Sequence, residues 1–177
     1  MYMKLKRIIE KNENFKIGYS LYLENFPMDQ TRNEETQLFI LKDKTYHFDM
    51  ILNKNEFSGI ITYWEYDEYI YIEHFAICSD KRGKGLGSQV LSLLKQKNKL
   101  LILEIEPPIC NYTKSRQAFY ERSGFVLQQY KHTPPAYRKG YANQVLVIMS
   151  TGELTDKLYQ TYFKRVCENT LNPLKSC

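Results

Sequence analysis

The stretch from Tyr69 to Ser88, YIYIEHFAICSDKRGKGLGS, decides more about the fold than any other part of this 177-residue chain. Its first half is rich in β-branched and aromatic residues, which predicts a strand, and its second half is a turn that contains three glycines. The segment from Ser88 to Lys97 then has helical spacing. Glycine permits positive φ and a close approach to a bulky anion, and a helix that starts there directs unpaired N–H groups at the anion. The stretch therefore predicts a strand, a phosphate-binding turn and a helix.

The segments around this stretch predict an α+β fold with a mixed central sheet. Tyr46 to Leu52 and Phe57 to Tyr66 are β-rich, so we expect a hairpin that continues antiparallel into the strand of Tyr69 to Cys78. Leu100 to Ile105 is an apolar strand after the helix, which predicts a right-handed parallel βαβ unit. The other predicted elements are an edge strand over 3–9, helices over 14–26, 31–41 and 115–123, and strands over 126–130 and 144–149. A C-terminal helix is predicted by the apolar stripe Leu154, Leu158, Tyr162 and Val166. Possible capping boxes are Thr31 with Glu34 for the second helix and Ser150 with Glu153 for the C-terminal helix.

Length and composition favour one globular unit. The chain has 43% hydrophobic and 25% charged residues, close to the average of globular domains. We expect residues 1–150 to form the main domain and residues 151–177 to be a helical extension packed on it. The net charge of +5 is distributed among acidic residues, so no nucleic-acid partner is expected. Without a membrane-length apolar run or a secretory signal at the N-terminus, we expect a soluble cytoplasmic protein with no membrane partner, either a monomer or a homodimer.

Cysteines and histidines do not indicate a metal site. The chain has four cysteines and three histidines, and none of them has the spacing of metal ligands. We therefore expect no metal and reduced thiols. These residues are Cys78, Cys110, Cys167 and Cys177, and His47, His74 and His132.

Two motifs resemble the GNAT superfamily of N-acetyltransferases. Residues 82–87, RGKGLG, are similar to its acyl-CoA signature [QR]-x-x-G-x-[GA], and residues 118–125, AFYERSGF, resemble its Y-x-x-x-G-F helix end. With the strand and helix between them, they match the superfamily over roughly residues 3–149. The resemblance implies a three-layer GNAT-like sandwich with a mixed sheet. It also implies transfer of an acetyl or other short acyl group from acetyl-CoA, as co-substrate, to a primary amine of a small molecule or a protein. Thr113 departs from the pattern, because many relatives have Asn at that position.

Two other interpretations of the turn remain open. Gly83, Gly85 and Ser88 imitate the G-x-G-x-x-G fingerprint of dinucleotide-binding proteins, and Glu104 follows about twenty residues later. The serine in the third position and the antiparallel strands before the turn argue against that fingerprint. A turn with only a structural role is the second alternative.

The resemblance implies a CoA site around the turn. The turn amides would hold the CoA pyrophosphate at the helix N-terminus, with charge added by the basic side chains, and the backbone of the preceding strand would pair with pantetheine as an extra strand. A strand amide would also stabilise the oxyanion. The implied cofactor-binding residues are Phe75, Ala76 and Ile77 on the strand and Arg82, Gly83, Lys84, Gly85, Leu86, Gly87 and Ser88 in the turn.

Acyl transfer to an amine needs one proton removed from the ammonium and one given to the departing thiolate. By resemblance, Tyr120 supplies the second proton. Glu104 is a candidate base because a carboxylate flanked by apolar residues is costly to bury without a partner or a use. Glu73 on the preceding strand is the competing candidate, and a water chain is the third. His74 is a weaker candidate because strand alternation places it on the opposite face from Glu73.

The long segment of residues 131–143, KHTPPAYRKGYAN, is a candidate acceptor-binding loop. Tyr137, Arg138 and Lys139 in this loop are candidates to contact the acceptor, with a solvated loop as the alternative. The competing function is a non-catalytic acyl-CoA-binding sensor or interaction module of the same fold.

Overall fold

The computed structural model describes residues 3–171 and confirms the predicted α+β fold with a mixed sheet. Seven strands lie in the order β1-β2-β3-β4-β5-β7-β6. The strands are β1 Met3–Arg7, β2 Tyr46–Asn53, β3 Glu56–Glu65, β4 Tyr69–Ile77, β5 Leu100–Ile105, β6 Val126–Leu127 and β7 Val147–Ser150. The helices are α1 Glu13–Asn25, α2 Glu34–Ile40, α3 Leu86–Lys95, α4 Asn111–Arg122 and α5 Asp156–Leu171.

Each face of the sheet carries its own hydrophobic core. Side chains of α1, α2 and α5, including Tyr22, Ile40 and Tyr162, pack on one face. Side chains of α3 and α4, including Leu94 and Tyr120, pack on the other. The molecule therefore has three layers, and α5 packs on the face that α1 also covers.

The parallel strands β4 and β5 separate part of the way along their length. Their register begins at Tyr69 with Leu100 and ends at Ile72 with Leu103. Beyond that point β5 continues to pair with β7 as far as Ile105. Within the described residues, β4 and β5 form no further pairs after Ile72 and Leu103. The second half of β4 thus leaves backbone groups unpaired on the side that faces β5.

A β-bulge in β4 places His74 on the same face as Glu73, contrary to expectation. Thr62 pairs with His74 and Tyr63 pairs with Ile72, so Glu73 is an extra residue without a partner on β3. The bulge shifts the alternation by one position, and Glu73 and His74 both line the same cavity. The expectation that His74 lies on the opposite face was wrong because simple alternation holds only in a regular strand.

Two predicted helix starts were also wrong. The N-cap of α2 is Asn33, whose Oδ1 accepts a hydrogen bond from Thr36 N at 2.9 Å, and not Thr31. Ser150 belongs to β7, and Thr155 accepts from Leu158 N at the start of α5. The last two strands are shorter than predicted, and α4 begins four residues earlier, at Asn111.

The expectations about thiols, membrane spans and metal sites can be compared with residues 3–171. Cys78, Cys110 and Cys167 are free thiols, whereas Cys177 and the rest of 172–177 lie outside the described residues. Within the described part, no helix is long and apolar enough to cross a membrane. Residues 3–171 also contain no group of three or more His, Cys, Asp or Glu side chains that could hold a metal ion.

Candidate active site

A cleft of about 650 Å³ opens where β4 leaves β5, between the glycine turn and α4. Its volume lies in the range of small-molecule and cofactor sites. Of the predicted cofactor-binding residues, only Lys84 does not line it; the Lys84 Nζ donates to Asp80 O at 3.0 Å. The predicted residues that line it are Phe75, Ala76, Ile77, Arg82, Gly83, Gly85, Leu86, Gly87 and Ser88, together with Tyr120.

The glycine turn has the backbone that an anion site requires. Gly85 is the N-cap of α3 and has a φ of 73°, in the left-handed region. The amides of the first turn of α3 have no partner within the helix, and the positive end of the helix dipole is directed at the cleft. Arg82 holds the turn in place, because its Nε donates to Ile77 O at 3.0 Å and its Nη2 donates to Asn25 Oδ1 at 2.6 Å.

Tyr120 is a largely buried residue of α4 that lines the same cleft. Its side chain is 9% exposed and packs against the rings of Phe119 and Phe125. Burial raises the pKa of Tyr120 to about 12, although the nearby Arg116 cation acts in the opposite direction. The phenol is therefore protonated at neutral pH and is chemically able to give a proton to a thiolate.

A second, smaller cavity of about 100 Å³ adjoins the cleft, and we call it the acceptor pocket. Phe26 and Arg116 line both cavities. Segment 27–31, strands β4 and β5, α5 and the 131–143 loop all contribute to its wall. Its polar and aromatic walls include Asp29, Tyr71, Glu73, His74, Glu104 and Tyr137.

Glu73 is held in a buried ion pair. Both of its oxygens accept hydrogen bonds from the Arg32 guanidinium, at 2.7 and 2.8 Å, and the two side chains are 1% exposed. Burial alone would raise the pKa of Glu73, but the Arg32 charge and hydrogen bonds from His74 and Arg32 outweigh it and lower the pKa well below its usual range. Glu73 is thus the counter-ion of Arg32.

Glu104 lies at the point where the two strands separate and accepts hydrogen bonds from three side chains. Tyr71 OH donates to its Oε2 at 3.0 Å. Tyr162 OH donates to its Oε1, and His132 Nε2 lies 2.5 Å from the same oxygen. This carboxylate is therefore anchored from β4, from the 131–143 loop and from α5.

The 131–143 loop is held against the segment before α2. The Tyr137 ring lies over the Arg32 guanidinium, 4.7 Å from its carbon, and lines the acceptor pocket. Arg138 Nε donates to Thr31 O at 2.9 Å, whereas Lys139 is exposed. Of the three candidate acceptor contacts in this loop, only Tyr137 lines the acceptor pocket.

Several residues of the site were not predicted from the sequence. Arg32 lies in a polar segment without a recognisable motif, and only the tertiary structure brings it to Glu73. Tyr162 was recognised as part of an apolar stripe, but its hydroxyl was not assigned a partner. A tyrosine at the centre of a buried stripe is a usable signal, because a buried hydroxyl needs a hydrogen-bond partner.

Comparisons with known proteins agree on one family. A family model described as an acetyltransferase (GNAT) domain matches residues 9–143. YjbC of Bacillus subtilis (strain 168), assigned as an acetyltransferase, is 32% identical over 111 residues, which cover 60% of this chain and 55% of YjbC. The chain therefore spans only about half the length of this curated relative.

Solved structures extend the comparison. A Bacteroides thetaiotaomicron protein assigned to the GNAT family is 26% identical, with a TM-score of 0.85 over 97% of this chain and 99% of the other. An Elizabethkingia anophelis GNAT family acetyltransferase with acetyl-CoA bound is 18% identical, with a TM-score of 0.56 over 85% of this chain and 98% of the other. At that identity, the second comparison shows the fold alone.

Proposed function

Because this chain belongs to the GNAT acetyltransferase family, we propose that it transfers an acetyl group from acetyl-CoA to a primary amine by direct attack in a ternary complex. The observation that carries the proposal is the meeting of two cavities where β4 and β5 separate. One has the volume and the helix N-terminus that suit CoA, and the other contains an anchored carboxylate.

The larger cleft would hold acetyl-CoA. The amides from Gly85 to Ser88 would bind the pyrophosphate at the N-terminus of α3. Pantetheine would lie along the unpaired half of β4, from Phe75 to Ile77, as an additional strand. An amide of the same segment is available to stabilise the oxyanion of the tetrahedral intermediate.

The acceptor pocket would hold the amine. Its volume of about 100 Å³ corresponds to roughly three waters, so it admits a slender aminoalkyl end and not a sugar ring. Asp29, Glu104 and Glu106 contribute carboxylates to its wall, against one lining cation, Arg116. Such a wall favours an ammonium group.

We assign the base to Glu104 and the acid to Tyr120. Glu73 has both oxygens committed to Arg32, and its lowered pKa makes it a weak proton acceptor. Glu104 would take the proton from the ammonium, the amine would attack the thioester carbonyl, and Tyr120 would give its proton to the departing CoA thiolate. This direct route needs no acyl-enzyme, and Cys78, which is on neither cavity wall, would have no role in it.

The test is thiol release from acetyl-CoA with a panel of primary amines, including a polyamine, an aminoglycoside, amino acids, and peptides with free N-terminal or lysine amines. We expect at least one amine to gain an acetyl group by mass spectrometry, and Glu104→Gln to reduce the rate by about 10²-fold or more. Binding of acetyl-CoA without turnover of any amine would support the sensor interpretation instead.

A further inference from the structure

We infer that His132 and Tyr162 are positioning residues that orient Glu104 for proton transfer, which makes helix α5 part of the catalytic machinery. The inference rests on the proposed function, since it concerns the base of that reaction. It assigns a role to an element outside the segment of residues 9–143 that the family model matches.

The two oxygens of Glu104 have different surroundings. Oε1 is held by two partners, Tyr162 OH and His132 Nε2, and neither of these residues lines the acceptor pocket. Among residues 3–171, Oε2 is held by one partner, Tyr71 OH at 3.0 Å, and Tyr71 lines the pocket together with Glu104. A carboxylate oxygen has about two lone-pair sites. Oε2 therefore keeps a free acceptor site on the pocket side, while Oε1 is fully used on the buried side.

Both positioning groups are themselves fixed by their surroundings. His132 and Tyr162 are fully buried. The Tyr162 ring packs edge-on against Tyr69 and Tyr71 and stacks against the imidazole of His132. Groups packed in this way hold a catalytic carboxylate in one geometry, which is the condition for efficient proton transfer.

The hydrogen bonds of His132 suit a group that supports a negative charge. Its Nδ1 lies 3.4 Å from Tyr159 OH, which also donates to Lys131 O at 3.1 Å. Because the Tyr159 hydroxyl has one proton, it can donate either to Nδ1 or to Lys131 O. When the hydroxyl donates to Nδ1, the ring N–H is on Nε2 and is directed at Glu104 Oε1.

The reaction uses these groups, Tyr120 and water. The ammonium proton bonds to Glu104 Oε2, the carboxylate becomes a carboxylic acid, and the nitrogen lone pair bonds to the acetyl carbon while the carbonyl π electrons move to the oxygen. When this intermediate collapses, the carbonyl re-forms and the C–S bond breaks. The CoA thiolate takes the Tyr120 proton, and the second nitrogen proton restores the phenol through water. After the acetylated amine leaves, the acid returns the proton to water. The titratable groups around Glu104 are Tyr71, Glu73, His132, Tyr137, Tyr159, Tyr162 and Cys167.

Tyr162→Phe and His132→Leu test the inference in the full-length protein. Each variant removes a donor from Oε1 and preserves most of the side-chain volume. We expect kcat to fall about 10-fold or more while KM for acetyl-CoA stays within about twofold, because the larger cleft is untouched.

Tyr130→Phe is the matched control. Tyr130 stacks on Tyr159 at 4.0 Å between ring centroids, and its hydroxyl lies within hydrogen-bond distance of Leu154 O, at 2.6 Å, and of Asp156 Oδ1, at 2.9 Å. The variant removes a tyrosine hydroxyl from the contacts of α5 without touching Glu104. Its kcat and its KM for acetyl-CoA should match the wild type, and all three variants should retain CoA binding by calorimetry.

Wild-type kcat values in Tyr162→Phe and His132→Leu would overturn the inference. If the wild type acetylates no amine, the proposed function fails instead, and proton NMR of ¹⁵N-histidine-labelled protein still decides the geometry. We expect a strongly downfield His132 Nε2 proton that moves upfield in Glu104→Gln. A His132 resonance that does not respond to that substitution would also overturn the inference.

Discussion

Tyr120 and Glu73 are both buried, but they differ in protonation state near neutral pH. Burial keeps the phenol of Tyr120 neutral. The carboxyl of Glu73 stays charged in spite of burial because Arg32 compensates it. Tyr120 can therefore act as an acid near neutral pH, whereas Glu73 contributes to the stability of the fold.

Tyr120→Phe should remove the acid without affecting the fold. Among the described residues, no group hydrogen-bonds the Tyr120 hydroxyl, so the free energy of unfolding should change by less than about 0.5 kcal/mol. The kcat should fall by about 10²-fold or more, because the thiolate would leave unprotonated. Since burial raises the pKa of Tyr120 to about 12, the pH profile of kcat should keep its shape and only move to lower rates. If Tyr120→Phe released thiol at the wild-type rate, a group other than Tyr120 would be the acid.

Glu73→Gln should destabilise the protein in a pH-dependent way. Removing one partner of a buried ion pair costs about 3–5 kcal/mol. Glu73 has a folded-state pKa below its ordinary value of 4.5, so its contribution is present above about pH 4.5 and is lost as the pH falls through the folded pKa. Urea unfolding should show a large deficit at pH 7 that narrows below about pH 4.5.

Glu68→Gln is the control for that experiment. Glu68 is an exposed carboxylate next to the start of the same strand, and its removal should change stability by less than about 0.5 kcal/mol at either pH. A deficit of Glu73→Gln that stays constant from pH 7 to pH 3 would contradict the ion-pair assignment.

At the scale of the element, the β4-turn-α3 unit combines three local features. The bulge at Glu73 redirects the strand, the loss of pairing after Ile72 exposes its edge, and Gly85 begins the helix in a left-handed conformation. Each feature alone occurs in many proteins. Together they place an unpaired strand edge next to a helix N-terminus.

Gly85→Ala should weaken CoA binding. An added Cβ at Gly85 meets no protein atom within 4 Å, so the cost to folding is only the positive φ, about 1–2 kcal/mol. The methyl group would occupy the cleft and shift the first amides of α3. We expect the Kd for CoA, measured by calorimetry, to rise about 10-fold or more.

Gly140→Ala provides a control with the same backbone conformation. Gly140 has a φ of 91° and also has no protein atom within 4 Å of an added Cβ, but it lies in the 131–143 loop and does not line the cleft. It should lose similar stability and keep the wild-type Kd for CoA. Equal losses of affinity in both variants would mean that strain, and not the turn itself, controls binding.

At the scale of the whole molecule, ligand binding should be measurable as stability. Acetyl-CoA at about 100 times its Kd should add about 2.7 kcal/mol. For a chain of 177 residues, that corresponds to an increase in Tm of about 5–10 °C. S-acetylpantetheine at the same concentration should give a smaller shift, because it lacks the pyrophosphate that the α3 N-terminus would bind. Equal shifts would place the anchor of the ligand away from the turn.

The sequence by itself determined the elements that depend on local chemistry. Alternation and apolar runs located β2, β3, β4 and β5 within about two residues, and the last of these matched at both ends. The glycine turn and the AFYERSGF helix end identified the family, because such motifs depend on neighbouring residues only. The caps of α2 and α5 are also local, but they were misplaced because several polar residues compete for each helix start.

Only the tertiary structure decided which side chains meet at the site. The sequence left both Glu104 and its competitor Glu73 as candidate bases, since each is a glutamate in a β-rich segment. Arg32 neutralises the first across 41 residues of chain, and Tyr162 anchors the second across 58. The bulge in β4 also cannot be inferred from alternation, because it depends on pairing with β3. The physical reason is the same in each case: long-range contacts set the charge and orientation of a buried group, and those contacts leave no local pattern in the sequence.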